Sequence, residues 1–150
     1  MAKNLTRRQF LKTSGLLGLG AFLGLRSCED LFKPGPYLVF EQLDSGCASA
    51  EEGAVIQGGE GKIALSGTMG TPNPCYSLQA ELMTMRCEPG ARCSNTYEVA
   101  IASEPQEGYC IECLGSVSYR GEIHGLKPGL YSITVTHDGR PIADAQVEVG

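Results

Sequence analysis

Apolar and polar residues alternate in short segments from Tyr37 to the end of the chain, and turn-forming residues separate these segments. A period of two is typical of strands that bury one face and expose the other. No window shows the 3.6-residue period of an amphipathic helix over a convincing length. The pattern therefore predicts an all-β domain over residues 37–150.

Seven segments between turns rich in Gly, Pro and Asp are predicted as strands: residues 37–43, 62–68, 75–85, 96–102, 115–123, 130–136 and 140–149. Residues 44–61 are rich in Gly, Ala and Glu, so only a short further strand is expected there, near Val55 and Ile56. About seven strands at this spacing are typical of an antiparallel β-sandwich. A length of 150 residues favours one such domain and leaves little room for a second.

The clearest local prediction is a hairpin near the C-terminus. Tyr131, Ile133 and Val135 share the apolar face of one strand, and Asp138-Gly139 follows it. This dipeptide suits a two-residue type I′ turn, because both central residues of that turn need positive φ. Residues 140–149 are therefore expected to return antiparallel to this strand.

Residues 122–135 read Glu-Ile-His-Gly-Leu-Lys-Pro-Gly-Leu-Tyr-Ser-Ile-Thr-Val. This segment resembles the Gly-Leu-x-Pro-Gly-x-Tyr-x-Ile-x-Val edge of transthyretin-like, carboxypeptidase-regulatory-like and related immunoglobulin-like domains. The resemblance implies a single immunoglobulin-like β-sandwich. Such domains usually serve as accessory adhesive or stabilising modules, and the motif brings no catalytic residue with it.

The first 27 residues have the organisation of a signal peptide, with a charged segment followed by a short apolar one. The apolar stretch, residues 15–25, has eleven residues. In a helix it reaches about 16 Å, short of the roughly 30 Å hydrocarbon core of a membrane. Residues 6–12 read Thr-Arg-Arg-Gln-Phe-Leu-Lys and resemble the twin-arginine export signal. The resemblance implies that the export pathway reads Arg7, Arg8, Phe10 and Leu11.

The apolar stretch ends in Leu25-Arg26-Ser27-Cys28, which resembles a bacterial lipoprotein box, although Arg26 departs from its usual small residue. The resemblance implies that Cys28 is diacylated, becomes the first mature residue and anchors the protein to a membrane. Seven cysteines also leave an even six once Cys28 is set aside. Residues 28–36 are then a tether. The alternative is a structural cysteine, with cleavage elsewhere.

Charge is distributed unevenly between the signal segment and the rest. Residues 1–27 hold five of the twelve Lys and Arg residues and none of the seventeen Asp and Glu residues. The remaining chain has seven basic and seventeen acidic side chains, hence a formal charge of −10. We expect no nucleic-acid partner, because phosphate binding requires a basic surface.

Six further cysteines lie in a chain directed to an oxidising compartment, so disulfides are the expectation. They are Cys47, Cys75, Cys87, Cys93, Cys110 and Cys113. Six cysteines allow fifteen pairings. Cys87 and Cys93 flank a Pro-Gly turn that can bring their sulfur atoms together, so a local bridge is the first choice.

The other cysteines are placed by the predicted strands. Cys75 begins one strand, whereas Cys110 and Cys113 precede another, so they can face one another across a sandwich. Cys47 then remains to fasten the N-terminal segment. Bridges of this kind each contribute roughly 2–4 kcal/mol to the stability of a domain.

A competing interpretation assigns chemistry to the cysteines. Cys87, Cys93, Cys110 and Cys113 offer four thiolates, enough for a tetrahedral zinc or iron site. Cys110-Ile-Glu-Cys113 is also a C-x-x-C of the thiol-redox type. The five residues between Cys87 and Cys93 are more than a metal knuckle uses, and strand and turn residues flank the C-x-x-C where a redox motif needs a helix. We therefore expect no cofactor.

No arrangement of residues predicts an enzyme. His124 and His137 are the two histidines, expected beside a turn and at a hairpin end, without Ser-His-Asp or His-x-x-His spacing. Glu51-Glu52 and residues 104–107 are expected to be solvated loops, because no calcium-loop pattern orders their carboxylates.

The leading hypothesis is a non-catalytic, lipid-anchored β-sandwich of the cell envelope, outside the cytoplasm, that binds or stabilises a protein partner. The alternative is a small metal-binding or thiol-redox protein that uses the four-cysteine set. A third hypothesis is a protease-inhibitor-like domain that presents the loops at residues 71–74 and 88–92.

Overall fold

Eight strands make up the part of the chain that the computed structural model describes, residues 35–85 and 94–150. They are β1 (Tyr37–Cys47), β2 (Gly53–Gly58), β3 (Ile63–Thr71), β4 (Tyr76–Thr84), β5 (Thr96–Pro105), β6 (Gly115–His124), β7 (Gly129–His137) and β8 (Arg140–Val149). Within these residues no helix is long and apolar enough to cross a membrane.

The strands form two four-stranded sheets. The first sheet has the order β1-β6-β3-β2 and the second the order β4-β5-β7-β8. All neighbours are antiparallel except β5 and β7, which are parallel. This corrects the antiparallel prediction. After β5 the chain crosses to the first sheet for β6 and returns for β7, and two reversals of direction leave β5 and β7 parallel.

A single hydrophobic core lies between the sheets, because alternate residues of both sheets point into it. Its buried residues come from β3, β4, β5, β6, β7, β8 and the loop after β6: Ile63, Leu65, Met69, Leu78, Val99, Ile101, Val117, Tyr119, Ile123, Leu126, Tyr131, Ile133, Val135 and Val149. The period of two along the chain is thus the signature of a sandwich. The all-β prediction is confirmed.

The sheets are also joined along their edges. Gln42 of β1 reaches the edge of β4, where its Oε1 accepts a hydrogen bond from the Leu78 amide at 2.8 Å and its Nε2 donates to the Tyr76 carbonyl at 3.3 Å. At the opposite edge the Gly58 backbone lies so close to the Glu148 carbonyl that a Cβ atom would overlap it. Gln42 thereby occupies two backbone groups that the open edge of β4 leaves unpaired.

The described residues form eight strands, whereas about seven were predicted. β2 is longer than the short strand expected near Val55 and Ile56, because backbone pairing with β3 holds all six of its residues despite their weak pattern. The predicted C-terminal hairpin is confirmed. Asp138 and Gly139 have φ values of 45° and 78°, as a type I′ turn requires.

Candidate functional site

Four connections lie together at one end of the sandwich, which we call the disulfide end. They are residues 48–52, 72–75, 106–114 and 138–139, the links β1–β2, β3–β4, β5–β6 and β7–β8. The strand register brings them together, since Gly115 pairs with both Cys47 and Thr71 at the start of β6. Tyr37, where the chain enters the domain, pairs with His124 at the other end of β1 and β6.

Two disulfides pin the loop 106–114 to strands on either side. Cys110 is bonded to Cys75 just before β4, and Cys113 to Cys47 at the end of β1. The Cα–Cα distances are 6.0 Å and 5.6 Å, within the usual range. The two cysteines of the C-x-x-C are therefore bonded to residues in or next to strands of different sheets. Two separate covalent attachments restrict the motion of the loop more than one would.

Three apolar side chains of this loop project into solvent. Tyr109 is fully exposed, at 103% of its reference area, while Ile111 and Leu114 are 68% and 69% exposed. They lie before, between and after the two bridged cysteines. The disulfides thus hold these three apolar side chains at the surface, outside the hydrophobic core of the domain.

Residues 72–75 make polar contacts with the base of the loop 106–114. The Thr71 hydroxyl donates to the Asn73 carbonyl at 2.7 Å, and the Asn73 side-chain oxygen accepts from the Cys75 amide at 3.0 Å. The same oxygen lies 3.2 Å from the Cys110 sulfur. The Gln106 amide donates to the Cys75 carbonyl at 2.9 Å. Hydrogen bonds therefore reinforce the disulfides at the base of the loop.

The disulfide end is acidic. Its four connections contain five acidic residues, Glu51, Glu52, Glu107, Glu112 and Asp138, and no Lys or Arg. Glu107 and Glu112 are exposed within the pinned loop itself. The apolar side chains of the loop thus share this end of the sandwich with acidic side chains, two of them in the loop itself.

A second cluster, the buried network, joins both sheets beneath the disulfide end. The Tyr119 hydroxyl lies 2.8 Å from Nε2 of His137, and Nδ1 of His137 lies 2.8 Å from the Glu52 carboxylate. Arg140 contacts both oxygens of the same carboxylate, at 3.2 Å and 3.1 Å. The residues come from β6, β7, the connection 48–52 and β8.

The donor and acceptor properties of the three side chains determine the direction of each hydrogen bond in this network. A carboxylate only accepts, so Nδ1 of His137 must donate to Glu52. In the neutral imidazole Nε2 then accepts a hydrogen bond from Tyr119. Burial raises the pKa of the Tyr119 hydroxyl well above its usual value of 10.0, and the Glu52 charge raises it further. The hydroxyl therefore holds its proton as a donor.

The order hydroxyl, imidazole, carboxylate is that of a catalytic triad. Tyr119 and His137 are only 1% and 0% exposed, however, so a substrate cannot reach the hydroxyl. Gly67 on β3 leaves the space that the hydroxyl occupies, since a Cβ there would overlap it. This geometry fits a structural tie that fastens the connection 48–52 to the core.

Sequence reasoning missed this network. His137 does lie at a hairpin end, yet it is buried and bound to a residue 85 positions away. Glu52 was expected to be solvated, and the structure corrects this because two basic side chains hold it. Nothing local in the sequence distinguishes Glu52 from Glu51, so no signal was available.

His124 takes part in an exposed ion-pair cluster on the outer face of the first sheet. Its Nε2 lies 2.9 Å from Glu122, whose other carboxylate oxygen lies 2.7 Å from Lys62. The hydrogen bond from Lys62 is the main reason that the pKa of Glu122 is lowered. Exposed pairs of this kind contribute little stability, because solvent screens them.

The four-thiolate alternative lacks two ligands in this structure, because the sulfur atoms of Cys110 and Cys113 are in disulfides. Among the described residues, no three His, Cys, Asp or Glu side chains are grouped to hold a metal ion. Cys87 and Cys93 lie outside the described residues, so their bridge stays a prediction. The signal residues and Cys28 lie outside them as well.

The family model for a TAT (twin-arginine translocation) pathway signal sequence matches residues 4–24. The chain carries an export signal. The twin-arginine prediction is therefore confirmed, and the protein is exported across the cytoplasmic membrane. The matched segment includes Arg7, Arg8, Phe10 and Leu11. No curated protein and no solved structure matches the chain.

Proposed function

We propose that this exported protein is a non-catalytic binding module of the cell envelope and that the loop 106–114 is its binding element. The observation that carries the proposal is the exposure of Tyr109, Ile111 and Leu114 on a loop with two disulfides. Tyrosine is one of the residues that carry most of the binding energy at protein interfaces. Burial of further apolar surface, such as that of Ile111 and Leu114, favours association as well. A loop that is already rigid loses little conformational entropy when it binds.

The state of the buried network supports a non-catalytic role. Its hydroxyl and imidazole are closed to solvent, and among the described residues no buried side-chain polar atom lacks a hydrogen-bond partner. The resemblance of residues 122–135 to immunoglobulin-like accessory modules agrees with this role.

Membrane anchoring through Cys28 completes the proposal. The chain enters the domain at Tyr37, whereas the binding loop is bonded to Cys47 at the other end of β1. A strand of 11 residues spans roughly 35 Å. The first residue of β1 and the point where the loop is bonded are therefore separated by the length of that strand.

Site-specific photo-crosslinking in cells tests the binding role. Benzoylphenylalanine in place of Tyr109 is expected to form one discrete adduct with an envelope protein upon irradiation. The matched control carries it at Leu130, which is 60% exposed at the start of β7, at the end opposite the loop. We expect no adduct there.

Competition makes the test specific. Excess soluble domain is expected to suppress the Tyr109 adduct, whereas a domain with Tyr109→Ser, Ile111→Ser and Leu114→Ser is not. These residues are exposed, so the variant keeps its fold. Failure of position 109 to form an adduct, or equal adducts at positions 109 and 130, would overturn the proposed function.

Fractionation of a Cys28→Ser variant tests the anchor. Acyl chains hold a protein by apolar burial, so the wild type should stay with membranes in high salt, whereas the variant should be soluble and folded. A variant that remains membrane-bound would show that Cys28 is not the anchor.

A further inference from the structure

We infer that the loop 106–114 recognises a protein partner whose apolar pocket is bordered by basic side chains, and that lipid is not its target. The inference rests on the proposed function, which assigns binding to this loop. It adds the chemistry of the partner, and it follows from the charges around the three apolar side chains.

The shape of the loop determines the shape of the partner. Tyr109, Ile111 and Leu114 project from a loop whose cysteines are both bonded to the sandwich below. A rigid projection buries its apolar surface best in a cavity, because a flat partner reaches only its tip. We therefore expect a partner with an apolar pocket.

The acidic side chains around the loop indicate which charges we expect at the border of the partner's pocket. Glu107 and Glu112 are exposed beside the apolar side chains, and Glu51 is exposed in the neighbouring connection. Arg140, which directly follows the connection 138–139, forms a salt bridge with Glu52 at 3.1 Å. The acidic border is therefore not neutralised within the described part of the protein. A partner with basic side chains at these positions gains attraction and a faster association rate.

The same charges argue against a lipid surface. Segments that bind an anionic membrane surface carry Lys and Arg, because these side chains are attracted to the negative lipid. The four connections of the disulfide end contain none of these residues and five acidic ones. Insertion of the three apolar side chains would bring Glu107 and Glu112 against the negative headgroups. A protein pocket therefore fits the loop better than a membrane.

Charge reversal tests the basic border in the crosslinking assay at position 109. Glu107→Lys with Glu112→Lys is expected to lower the adduct yield about tenfold. The matched control is Glu60→Lys with Glu81→Lys, which makes the same change in net charge at exposed positions outside the disulfide end. We expect the control to keep the wild-type yield.

The outcomes separate this inference from the proposed function. If the adduct forms and its yield is unchanged by the charge reversal at Glu107 and Glu112, the inference of a basic border on the partner is wrong, but the binding role of the loop stands. Absence of any adduct at position 109 would overturn both. An equal loss in the control variant would also overturn the border, because net charge alone would explain it.

Sedimentation with vesicles tests the lipid alternative. The soluble Cys28→Ser protein is expected to remain in the supernatant with phosphatidylglycerol vesicles and with phosphatidylcholine vesicles. Binding to either vesicle that is lost in the variant with three serines in the loop would overturn the choice of a protein partner.

Discussion

The Tyr119 hydroxyl lies 2.8 Å from Nε2 of His137, and both side chains are buried between the sheets. Tyr119 belongs to β6 of the first sheet and His137 to β7 of the second, so the hydrogen bond crosses the core. His137 also binds Glu52, so the two hydrogen bonds of His137 together attach the residues 48–52 to both sheets. The stability of the disulfide end therefore depends on a bond in the core.

Removal of the Tyr119 hydroxyl is expected to destabilise the domain. In Tyr119→Phe the Nε2 of His137 stays buried without a partner, which costs about 1–3 kcal/mol. Urea unfolding followed by circular dichroism measures the change. Tyr37→Phe is the control, because Tyr37 is 48% exposed and its ring stacks on His124 without using the hydroxyl. An equal effect of both substitutions would contradict the role of the buried hydrogen bond.

Alkaline pH is expected to destabilise the protein partly through Tyr119. Burial, and secondly the Glu52 charge, raise its pKa in the folded state, so the folded protein holds this proton more tightly than the unfolded chain. The resulting stability is fully present below the unfolded pKa of about 10 and is lost as the pH rises through the folded pKa. The free energy of unfolding should therefore fall above about pH 10.

The comparison with Tyr119→Phe isolates this contribution. Urea unfolding of both proteins at several pH values between about 8 and 11 should show a shallower fall for the variant. Parallel curves for the two proteins would exclude Tyr119 as a source of the alkaline dependence.

Peptide mapping of the exported protein without reduction should find the linkages Cys47–Cys113 and Cys75–Cys110, together with the predicted Cys87–Cys93 bridge. Removal of one bridge by Cys75→Ser with Cys110→Ser is expected to cost about 2–4 kcal/mol, because the unfolded chain regains entropy. Free thiols with stoichiometric zinc or iron would contradict the disulfides and favour the four-cysteine site.

Export is expected to require the arginine pair of the signal. Arg7→Lys with Arg8→Lys should leave uncleaved precursor in the cytoplasm, because the pathway reads that pair. Immunoblots of cell fractions measure the distribution. Arg26→Lys is the control, since it lies in the signal segment but outside residues 4–24 that match the family model. Normal export of the double variant would contradict the twin-arginine assignment.

Features that depend on neighbouring residues could be predicted from the sequence. Alternation predicted the strands, because side chains of a strand point to opposite faces in turn. Asp138-Gly139 predicted its turn, because few residues accept positive φ at two successive positions. The export signal is likewise a short contiguous motif. Each of these depends on interactions within a few residues, so the order of amino acids carries it.

Only the tertiary structure decided which distant residues meet. The sequence left fifteen pairings of six cysteines open, and the structure decides two of the three bonds, Cys47–Cys113 and Cys75–Cys110. Gly115 pairs with both Cys47 and Thr71, which brings the ends of three strands together. Glu52 differs from Glu51 because it faces His137, 85 positions away. The parallel pairing of β5 with β7 likewise follows from the path of the chain between sheets. Such contacts are set by the register and packing of strands far apart in sequence, which local alternation does not encode.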